Sequence, residues 1–228
     1  MRIAPRAYYL ERGRKFDEPF MLLDYIEGGP LHGLTKGRLI EIAGIIGRLH
    51  AHVHTASERK QIDSHGLAWF VPTILSNRVQ SAISFSGKYI SEDSANTVSE
   101  AYEKIERMNF SNTRSRMVHG DLSLQDMLHS KAGIKLIDFN TFCISEPEFD
   151  LAHFFYRTGL DIDKRGVFIR EYSKYLKPDM RLLHNAEQAR SLDRVLWGLL
   201  EAIYIWGLKA HCSKRNQICC YGEVFELR

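Results

Sequence analysis

The stretch VHGDLSLQDMLHSKAGIKLIDFN, residues 118 to 140, constrains the fold of this chain more than any other. Its apolar runs are very short, and the polar turns GDLSLQ and SKAG divide them. This pattern predicts small paired strands that carry loops. Asp121 follows the first run, Asp126 lies where the loop returns to a strand, and Asp138 ends the last run. We therefore expect a hairpin to bring three carboxylates together at one end of a small sheet.

Carboxylates that converge repel one another, so such a cluster needs a cation or a shared proton to be stable. Mg2+ is the ion that this site favours, because it takes oxygen ligands, commonly one or two carboxylates with waters and phosphates. The pattern therefore predicts phosphoryl transfer. Taken singly, each aspartate could also be an ordinary turn residue at a strand end.

The residues before this stretch predict a hairpin and a helix. The β-type runs RAYYLE at 6–11 and FMLLDYI at 20–26 flank a charged turn, and EGGP ends the second run. Thr35 is an expected N-cap, and beyond it apolar residues recur at steps of three and four, as on the buried face of a helix. That face comprises Leu39, Ile42, Ala43, Ile46, Leu49 and Val53.

Further helices are predicted on both sides of the central stretch. Residues 70–108 are typical of two helices with a break at SFSGKYISED. Beyond Asp150 the periodicity is helical, with Pro178 between two helices. The expected fold class is therefore α+β, with a β-hairpin, several helices, a small sheet with polar loops, and helices again.

The composition excludes several classes of protein. With 228 residues, 44% of them apolar, the chain is long enough to bury a core. Its 31 Lys and Arg against 28 Asp and Glu form no basic block, so no nucleic acid partner is expected. No apolar run reaches the roughly 20 residues of a membrane span, and no signal-like apolar region opens the sequence. We expect a cytoplasmic protein whose four cysteines are free thiols.

Three segments carry a resemblance to a known family. HGDLSLQDML, IKLIDFN and SEPEFDLAHFF resemble the H-G-D-x-x-x-x-N, I-D-[FW] and D-P-x-x-D-[LI]-A motifs of the aminoglycoside phosphotransferase and choline kinase-like family. Upstream, PFMLLDYIEGGPL looks like the last strand and the hinge of the N-lobe, and LIEIAGIIGRLHAHVH looks like a family helix. The resemblance implies a protein-kinase-like fold and a kinase that uses ATP and Mg2+ to phosphorylate a small-molecule hydroxyl.

The same resemblance implies roles for the three aspartates. Asp121 is then the catalytic base that accepts the hydroxyl proton, and Asp138 is a ligand of the Mg2+ that bridges the phosphates. Asp126 stands where the family has a metal-binding asparagine, a departure that keeps an oxygen ligand but adds negative charge near the phosphates. We expect it to tighten metal binding and to weaken nucleotide binding.

Other residues are implied to support this site. His119 is expected to brace the catalytic loop by hydrogen bonding. Asp150 is expected to N-cap its helix and to hold the backbone of the loop from behind. Backbone groups of Asp24, Tyr25 and Ile26 are expected to face the adenine at the hinge.

The N-terminal side departs from the family pattern. Only 23 residues precede Asp24, too few for the Gly-rich loop, the strand lysine and the helix glutamate of a complete N-lobe. We expect a partial N-lobe hairpin and hinge at 1–27, a helical C-lobe at 28–228, and weak or absent kinase activity of this chain alone. A fragment, a degenerate paralogue and a site completed by another chain are three open accounts. Unpaired strand edges predict self-association through residues 6–26.

Two other functional classes are open. A pseudokinase would keep the C-lobe as a scaffold and act as an interaction module, and the departure at Asp126 favours it. A metal-dependent hydrolase built on His119 and Asp121 would need further histidines, of which His129 is the obvious candidate.

The acceptor substrate is poorly encoded. Residues 161–228 hold 12 Lys and Arg against 9 Asp and Glu, which argues against a polycationic aminoglycoside. Trp197 and Trp206 could offer an aromatic face to a quaternary amine, or they could belong to the core.

Overall fold

The computed structural model describes residues 4–5, 7–11, 20–53, 55–57, 72–84, 91–108 and 115–212. The chain forms two compact units. The first combines Met1–Ala68 with Asn112–Met180, and the second combines Trp69–Ser111 with Arg181–Arg228. The boundary expected after residue 27 stays a prediction.

Strands and helices are both short in the central part of the chain. In chain order the elements are β1 (Ala7–Glu11), β2 (Phe20–Leu23), β3 (Gly28–Pro30), α1 (Lys36–Ala51), α2 (Pro72–Ser84), α3 (Glu92–Glu106), β4 (Arg116–Val118), β5 (Met127–Ser130), β6 (Gly133–Leu136), β7 (Cys143–Ser145), α4 (Pro147–Thr158), α5 (Ile162–Tyr172) and α6 (Met180–Cys212). Two single turns of 3-10 helix, Leu124–Asp126 and Phe139–Thr141, precede β5 and β7.

In the described part of the chain, the strands form three small antiparallel sheets. They pair β1 with β2, β5 with both β3 and β6, and β4 with β7. The hairpin expected from the runs at 6–11 and 20–26 is confirmed, although its second strand already ends at Leu23. The short strands expected in the central stretch are confirmed as β4, β5 and β6.

The third strand is a correction to the sequence analysis. EGGP does not simply end a strand, because Gly28–Pro30 form β3 along the edge of β5. A Cβ atom at Gly28 would lie 2.7 Å from the carbonyl oxygen of His129, so glycine lets the two backbones approach closely.

Helix α1 begins and packs as its sequence predicts, except at its end. The side-chain oxygen of Thr35 accepts a hydrogen bond from the backbone N–H of Arg38, which confirms the N-cap. Five of the six expected apolar residues are buried, namely Leu39, Ile42, Ala43, Ile46 and Leu49. The prediction that Val53 belongs to this buried face is wrong. The helix ends at Ala51, and Val53 lies beyond that end and is 70% exposed.

An aromatic cluster on α4 and α5 forms part of the core of the first unit. Phe154, Phe155, Phe168 and Tyr172 are fully buried, and their neighbouring ring centroids lie 5.2 to 6.3 Å apart. Tilted and stacked rings at such separations combine a large buried apolar area with favourable ring geometry. The cluster fixes α4, which also contacts β4 and the turn Leu124–Asp126. The loop between β4 and β5 therefore rests on a rigid helix.

The second unit is helical where the structure describes it. The two helices expected within 70–108 are confirmed as α2 and α3, and α6 follows Pro178. Asp193 on α6 is buried and pairs with Arg78 of α2 and with Arg190, so two cations compensate one buried carboxylate. Although α6 is long, neither it nor another helix among the described residues has the length and apolar character needed to cross a membrane.

Candidate active site

The loop between β4 and β5 turns sharply at a glycine and lies close against a neighbouring turn. Gly120 has φ +87°, and a Cβ atom there would lie 2.1 Å from the carbonyl oxygen of Thr141. The Thr141 hydroxyl in turn donates a 2.8 Å hydrogen bond to the carbonyl oxygen of His119. Only glycine fits both the positive φ and the close approach. The position of the loop at residue 120 is therefore fixed by sterics.

Asp150 holds the backbone of the same loop with both carboxylate oxygens. Oδ2 accepts a 2.7 Å hydrogen bond from the N–H of His119, and Oδ1 accepts a 2.8 Å hydrogen bond from the N–H of Gly120. Oδ2 also lies 3.1 Å from Nε2 of the buried His50. Burial alone would raise the pKa of this carboxyl, but the hydrogen bond and charge of His50, with those of His119, hold the pKa below its usual value.

One expected role of Asp150 is wrong. Helix α4 begins at Pro147, with Glu146 at its N-cap, so Asp150 lies inside the first turn and does not cap the helix. Proline is suited to the first helical position because its missing N–H and fixed φ cost nothing there. The helix therefore begins earlier than the position of Asp150 suggested.

His50 joins α1 to this loop through a buried network. Its Nδ1 lies 3.0 Å from the hydroxyl of Tyr172, while its Nε2 faces Asp150. A carboxylate accepts but does not donate, so Nε2 carries a proton and donates to Asp150. This pairing has no local signal in the sequence, since the partners are 100 and 122 residues from His50.

His119 connects the loop to the segment that precedes Asp138. Its ring is fully buried and lies 4.8 Å from the ring of Phe139, centroid to centroid. Nε2 donates a 2.8 Å hydrogen bond to the carbonyl oxygen of Ile137. Both contacts are in the protein interior. The His119 ring is therefore placed to hold the loop in position and not to reach a substrate.

Asp121 follows the fixed part of the loop, and 59% of its side chain is exposed. Its Oδ1 lies 3.0 Å from Nε2 of His153, a buried residue of α4. The sequence analysis did not single out His153. The available signal was its spacing of three from Asp150 within DLAHFF, which places both side chains on one helix face.

Asp126 closes the short turn that precedes β5. Its Oδ2 accepts hydrogen bonds from the backbone N–H of Ser123 at 2.9 Å and from the Ser123 hydroxyl at 2.7 Å. The Ser123 hydroxyl also accepts a hydrogen bond from the backbone of this turn. The reciprocal hydrogen bonds of Ser123 and Asp126 form a capping box. Burial raises the pKa of the Asp126 carboxyl, the nearby charge of Asp121 raises it further, and the Ser123 hydrogen bonds oppose both.

Asp138 has an unusual backbone conformation. Its φ of 59° and ψ of 60° are left-handed, and among the described residues no other non-glycine residue has a positive φ. The side chain is exposed, at the start of the turn Phe139–Thr141. Such a conformation costs free energy in an L-residue, although least in Asp and Asn, and it occurs at functional sites as well as in turns.

The three aspartates do not form the cluster that the sequence analysis expected. Within the described ranges, no group of three or more His, Cys, Asp or Glu side chains is placed to hold one metal ion. A site for Mg2+ does not require three protein ligands, because this ion commonly keeps waters and binds one or two carboxylates plus phosphates. The hard oxygen atoms of Asp126 and Asp138 fit that demand in chemical type.

The hinge segment after β2 lines a cavity in the first unit. Asp24, Tyr25 and Ile26 are not part of a strand, and they face the turn between β5 and β6 across a cavity of about 280 Å3. Lys131 of that turn and Lys135 of β6 also line it. Tyr25 is 90% exposed.

Comparison with known proteins gives matches in sequence family and in fold. The model of the phosphotransferase enzyme family matches residues 3–184. No curated protein sequence matches the chain. The choline kinase LicA of Streptococcus pneumoniae has a similar structure, with a TM-score of 0.63 and 18% identity over 86% of this chain and 66% of that one.

Two further structures are similar at comparable levels. A Plasmodium vivax ethanolamine kinase has a TM-score of 0.64 and 15% identity, covering 87% of this chain and 62% of that one. The AMP-bound spectinomycin phosphotransferase APH(9)-Ia has a TM-score of 0.63 and 13% identity, covering 91% and 73%. The chain spans 66% and 62% of the lengths of the choline and ethanolamine kinases. The protein-kinase-like fold predicted from the motifs is confirmed.

Proposed function

Because the chain belongs to the phosphotransferase enzyme family, we propose that it transfers the γ-phosphoryl group of ATP to a hydroxyl group of a small molecule. The observation that carries this proposal is the loop bearing Asp121. Its backbone is held by the buried Asp150, whereas the Asp121 carboxylate is more than half exposed. A rigid loop that presents an accessible carboxylate suits a base that receives a proton from a bound alcohol.

Asp121 is the catalytic base in this proposal. It accepts the proton of the acceptor hydroxyl and orients the oxygen toward the phosphorus atom. His119 and Asp150 support it, since both bind the backbone or the neighbouring turn and neither is exposed. Their role is to keep the carboxylate in place.

Asp126 and Asp138 are the proposed ligands of Mg2+. When bound, this ion neutralises charge on the phosphates. One oxygen of Asp126 is engaged by Ser123, so the carboxylate has a fixed orientation before any metal binds. The exposed Asp138 and the half-buried Asp126 supply the oxygen ligands that Mg2+ prefers.

The nucleotide is proposed to lie against the hinge, with the adenine facing backbone groups of Asp24, Tyr25 and Ile26. Support comes from the position of this segment, which follows β2 and lines a cavity of about 280 Å3. The similar spectinomycin phosphotransferase was solved with AMP bound, which favours an adenine nucleotide as the donor.

For the acceptor, the similar structures suggest choline, ethanolamine or spectinomycin as compounds to test. The contacts of Trp197 bear on the hypothesis that its ring binds the quaternary ammonium group of a substrate. The guanidinium of Arg78 already lies 4.9 Å from the centre of this ring, so a cation partner occupies one face. We therefore propose a neutral or singly charged alcohol and do not favour Trp197 as an ammonium site.

The test is phosphate transfer from radiolabelled ATP in the presence of Mg2+ and each of the three alcohols. We expect a labelled product with at least one of them, and a loss of about a hundredfold to ten-thousandfold in the variant Asp121→Asn. Asp161→Asn is the matched control, because Asp161 is an exposed helix cap on α5. Transfer that survives in Asp121→Asn would refute the assignment of the base.

A pseudokinase is the second candidate, and Asp126 is the observation that favours it. A carboxylate at this position carries extra negative charge when ionised, and burial raises its pKa, which disfavours the ionised form. A pseudokinase would bind a protein partner equally well with Asp121→Asn and would show no transfer. A hydrolase built on His119, Asp121 and His129 would need a cluster of protein ligands, and no group of three or more His, Cys, Asp or Glu in the described residues is placed to hold a metal ion.

Two properties stay predictions. Self-association through residues 6–26 is expected because β1 and β2 form a two-stranded sheet in the described chain. Sedimentation as a clean monomer at high concentration would contradict it. A cytoplasmic location is expected from the sequence.

A further inference from the structure

His153 is a buried titratable residue that the proposed mechanism has not used. It lies on α4, and 5% of its side chain is exposed. Its Nε2 is buried and has no aligned hydrogen-bond partner, yet the nearest carboxylate oxygen, Oδ1 of Asp121, is only 3.0 Å away. Contacts of catalytic groups are often poorly aligned before substrate binds and tighten in the complex.

The placement of His153 follows from the helix that also carries Asp150. Residues three apart on a helix face the same side, so Asp150 and His153 project toward the same loop. Asp150 accepts from the N–H groups of His119 and Gly120, which precede Asp121 directly. His153 reaches the carboxylate of Asp121 itself. One helix therefore contacts both the backbone of the loop and its reactive side chain.

We propose that His153 is a positioning residue for the base: its Nε2–H donates to Oδ1 of Asp121 and fixes the rotation of the carboxylate. This inference rests on the proposed function, in which Asp121 accepts the proton of an alcohol. The final torsion of an aspartate is broad. A donor at Oδ1 narrows that range and gives Oδ2 a defined direction. Correct orientation of a reacting group lowers the barrier to reaction.

A purely structural histidine is the competing explanation. Such a residue would direct a buried ring nitrogen to an interior partner, as His50 does to Tyr172 and Asp150 and as His119 does to the carbonyl of Ile137. The Nε2 of His153 instead has an exposed carboxylate as its neighbour. His153 is thus buried itself but contacts the carboxylate of the proposed base. This is the arrangement expected of a residue that acts by positioning another.

The test compares variants that keep or remove the donor. His153→Phe keeps a ring but no N–H, and His153→Gln keeps an N–H donor on a flexible side chain. We expect His153→Phe to lower kcat for phosphate transfer about 10- to 100-fold while leaving KM for MgATP unchanged, and His153→Gln to recover most of the loss. Phe155→Leu, a buried α4 residue in the aromatic cluster, is the structural control and should lower stability without changing kcat.

Equal losses in His153→Phe and His153→Gln, or no loss in His153→Phe, would overturn the proposal. A second measurement needs neither turnover nor a folded phenylalanine variant. The NMR signal of the His153 ring nitrogens is recorded in the full chain with labelled histidines, first in the wild type and then in two aspartate variants. Relative to the wild type, this signal should shift in Asp121→Asn and stay unchanged in Asp161→Asn. An unchanged His153 signal in Asp121→Asn refutes the pairing. Absence of phosphate transfer in the wild type would instead refute the proposed function, while the NMR result still decides the pairing.

Discussion

Replacing Asp150 by asparagine tests whether a buried charge holds the catalytic loop. The carboxylate is buried and accepts from three donors, at His119, Gly120 and His50. An amide has one acceptor oxygen and one NH2 donor. Whichever way the amide turns, it sets the NH2 group against an N–H donor of the loop or of His50. Asp150→Asn therefore leaves at least one buried donor unsatisfied and removes the negative charge.

The expected cost follows from these contacts. Removing one partner of a buried, hydrogen-bonded ion pair costs about 3–5 kcal/mol, because the remaining groups keep their desolvation penalty. A domain is stable by about 5–15 kcal/mol, so Asp150→Asn is expected to leave a marginal fold. Urea unfolding followed by circular dichroism measures the free energy of unfolding. Asp161→Asn is the control, since Asn caps a helix as well as Asp does.

The effect also depends on pH with a defined sign. The folded protein holds the pKa of Asp150 below that of an unfolded aspartate, which is about 4. The stabilisation is therefore complete above about pH 4 and is lost as the pH falls through the lower folded value. The difference in unfolding free energy between wild type and Asp150→Asn should shrink at acidic pH. A cost below about 1 kcal/mol at pH 7 would refute the view that this carboxylate holds the loop.

Three further predictions concern neighbouring positions. Gly120→Ala should destabilise the fold by about 2 kcal/mol or more, and by more than the control Gly159→Ala. Both glycines have positive φ, but of the two only Gly120 has a neighbour within 4 Å of an added Cβ atom. Equal urea midpoints of the two variants would contradict this. Asp126→Asn should flatten the loss of Mg2+-dependent ATP binding that calorimetry records as the pH is lowered, since burial raises the pKa of Asp126 above its usual value; an unchanged slope would count against it as a ligand. Burial raises the pKa of Cys143 to about 12, so iodoacetamide at pH 8 should label it, by peptide mass spectrometry, only after unfolding; labelling of the native protein would show that the thiol is accessible.

The local pattern of the sequence predicts where the strands and loops of the site lie. It does not predict the long-range contacts that hold the loop with Asp121 in place. The short apolar runs predict β4, β5 and β6, and the polar turns between them predict the loop with Asp121. These features depend on residues close in sequence. The pairing of His50 with Asp150 depends on a contact across 100 residues, which no local periodicity encodes.

The errors in the analysis have related physical causes. Val53 continues the apolar repeat of α1, but the repeat does not show where the backbone leaves the helix at Ala51. Gly28–Pro30 look like a strand terminator, yet the free edge of β5 gives them partners. The expected cluster of three carboxylates assumed that strand ends alone set side-chain positions. In the structure, the Asp126 side chain turns to Ser123 of its own loop.

The two sides of the proposed site should respond differently to acid. The base is positioned by Asp150, whose pKa is lowered, so its loop keeps the same hydrogen bonds throughout the neutral and mildly acidic range. The proposed metal side includes Asp126, whose pKa is raised, so under this proposal its carboxyl takes up a proton before that of Asp150 as the pH falls. A protonated carboxyl group is a poor ligand for a divalent cation. Nucleotide binding should therefore weaken while the loop is still intact. Under the proposed function, the departure from asparagine at residue 126 therefore predicts that nucleotide affinity, and not the geometry of the base, responds first to acid.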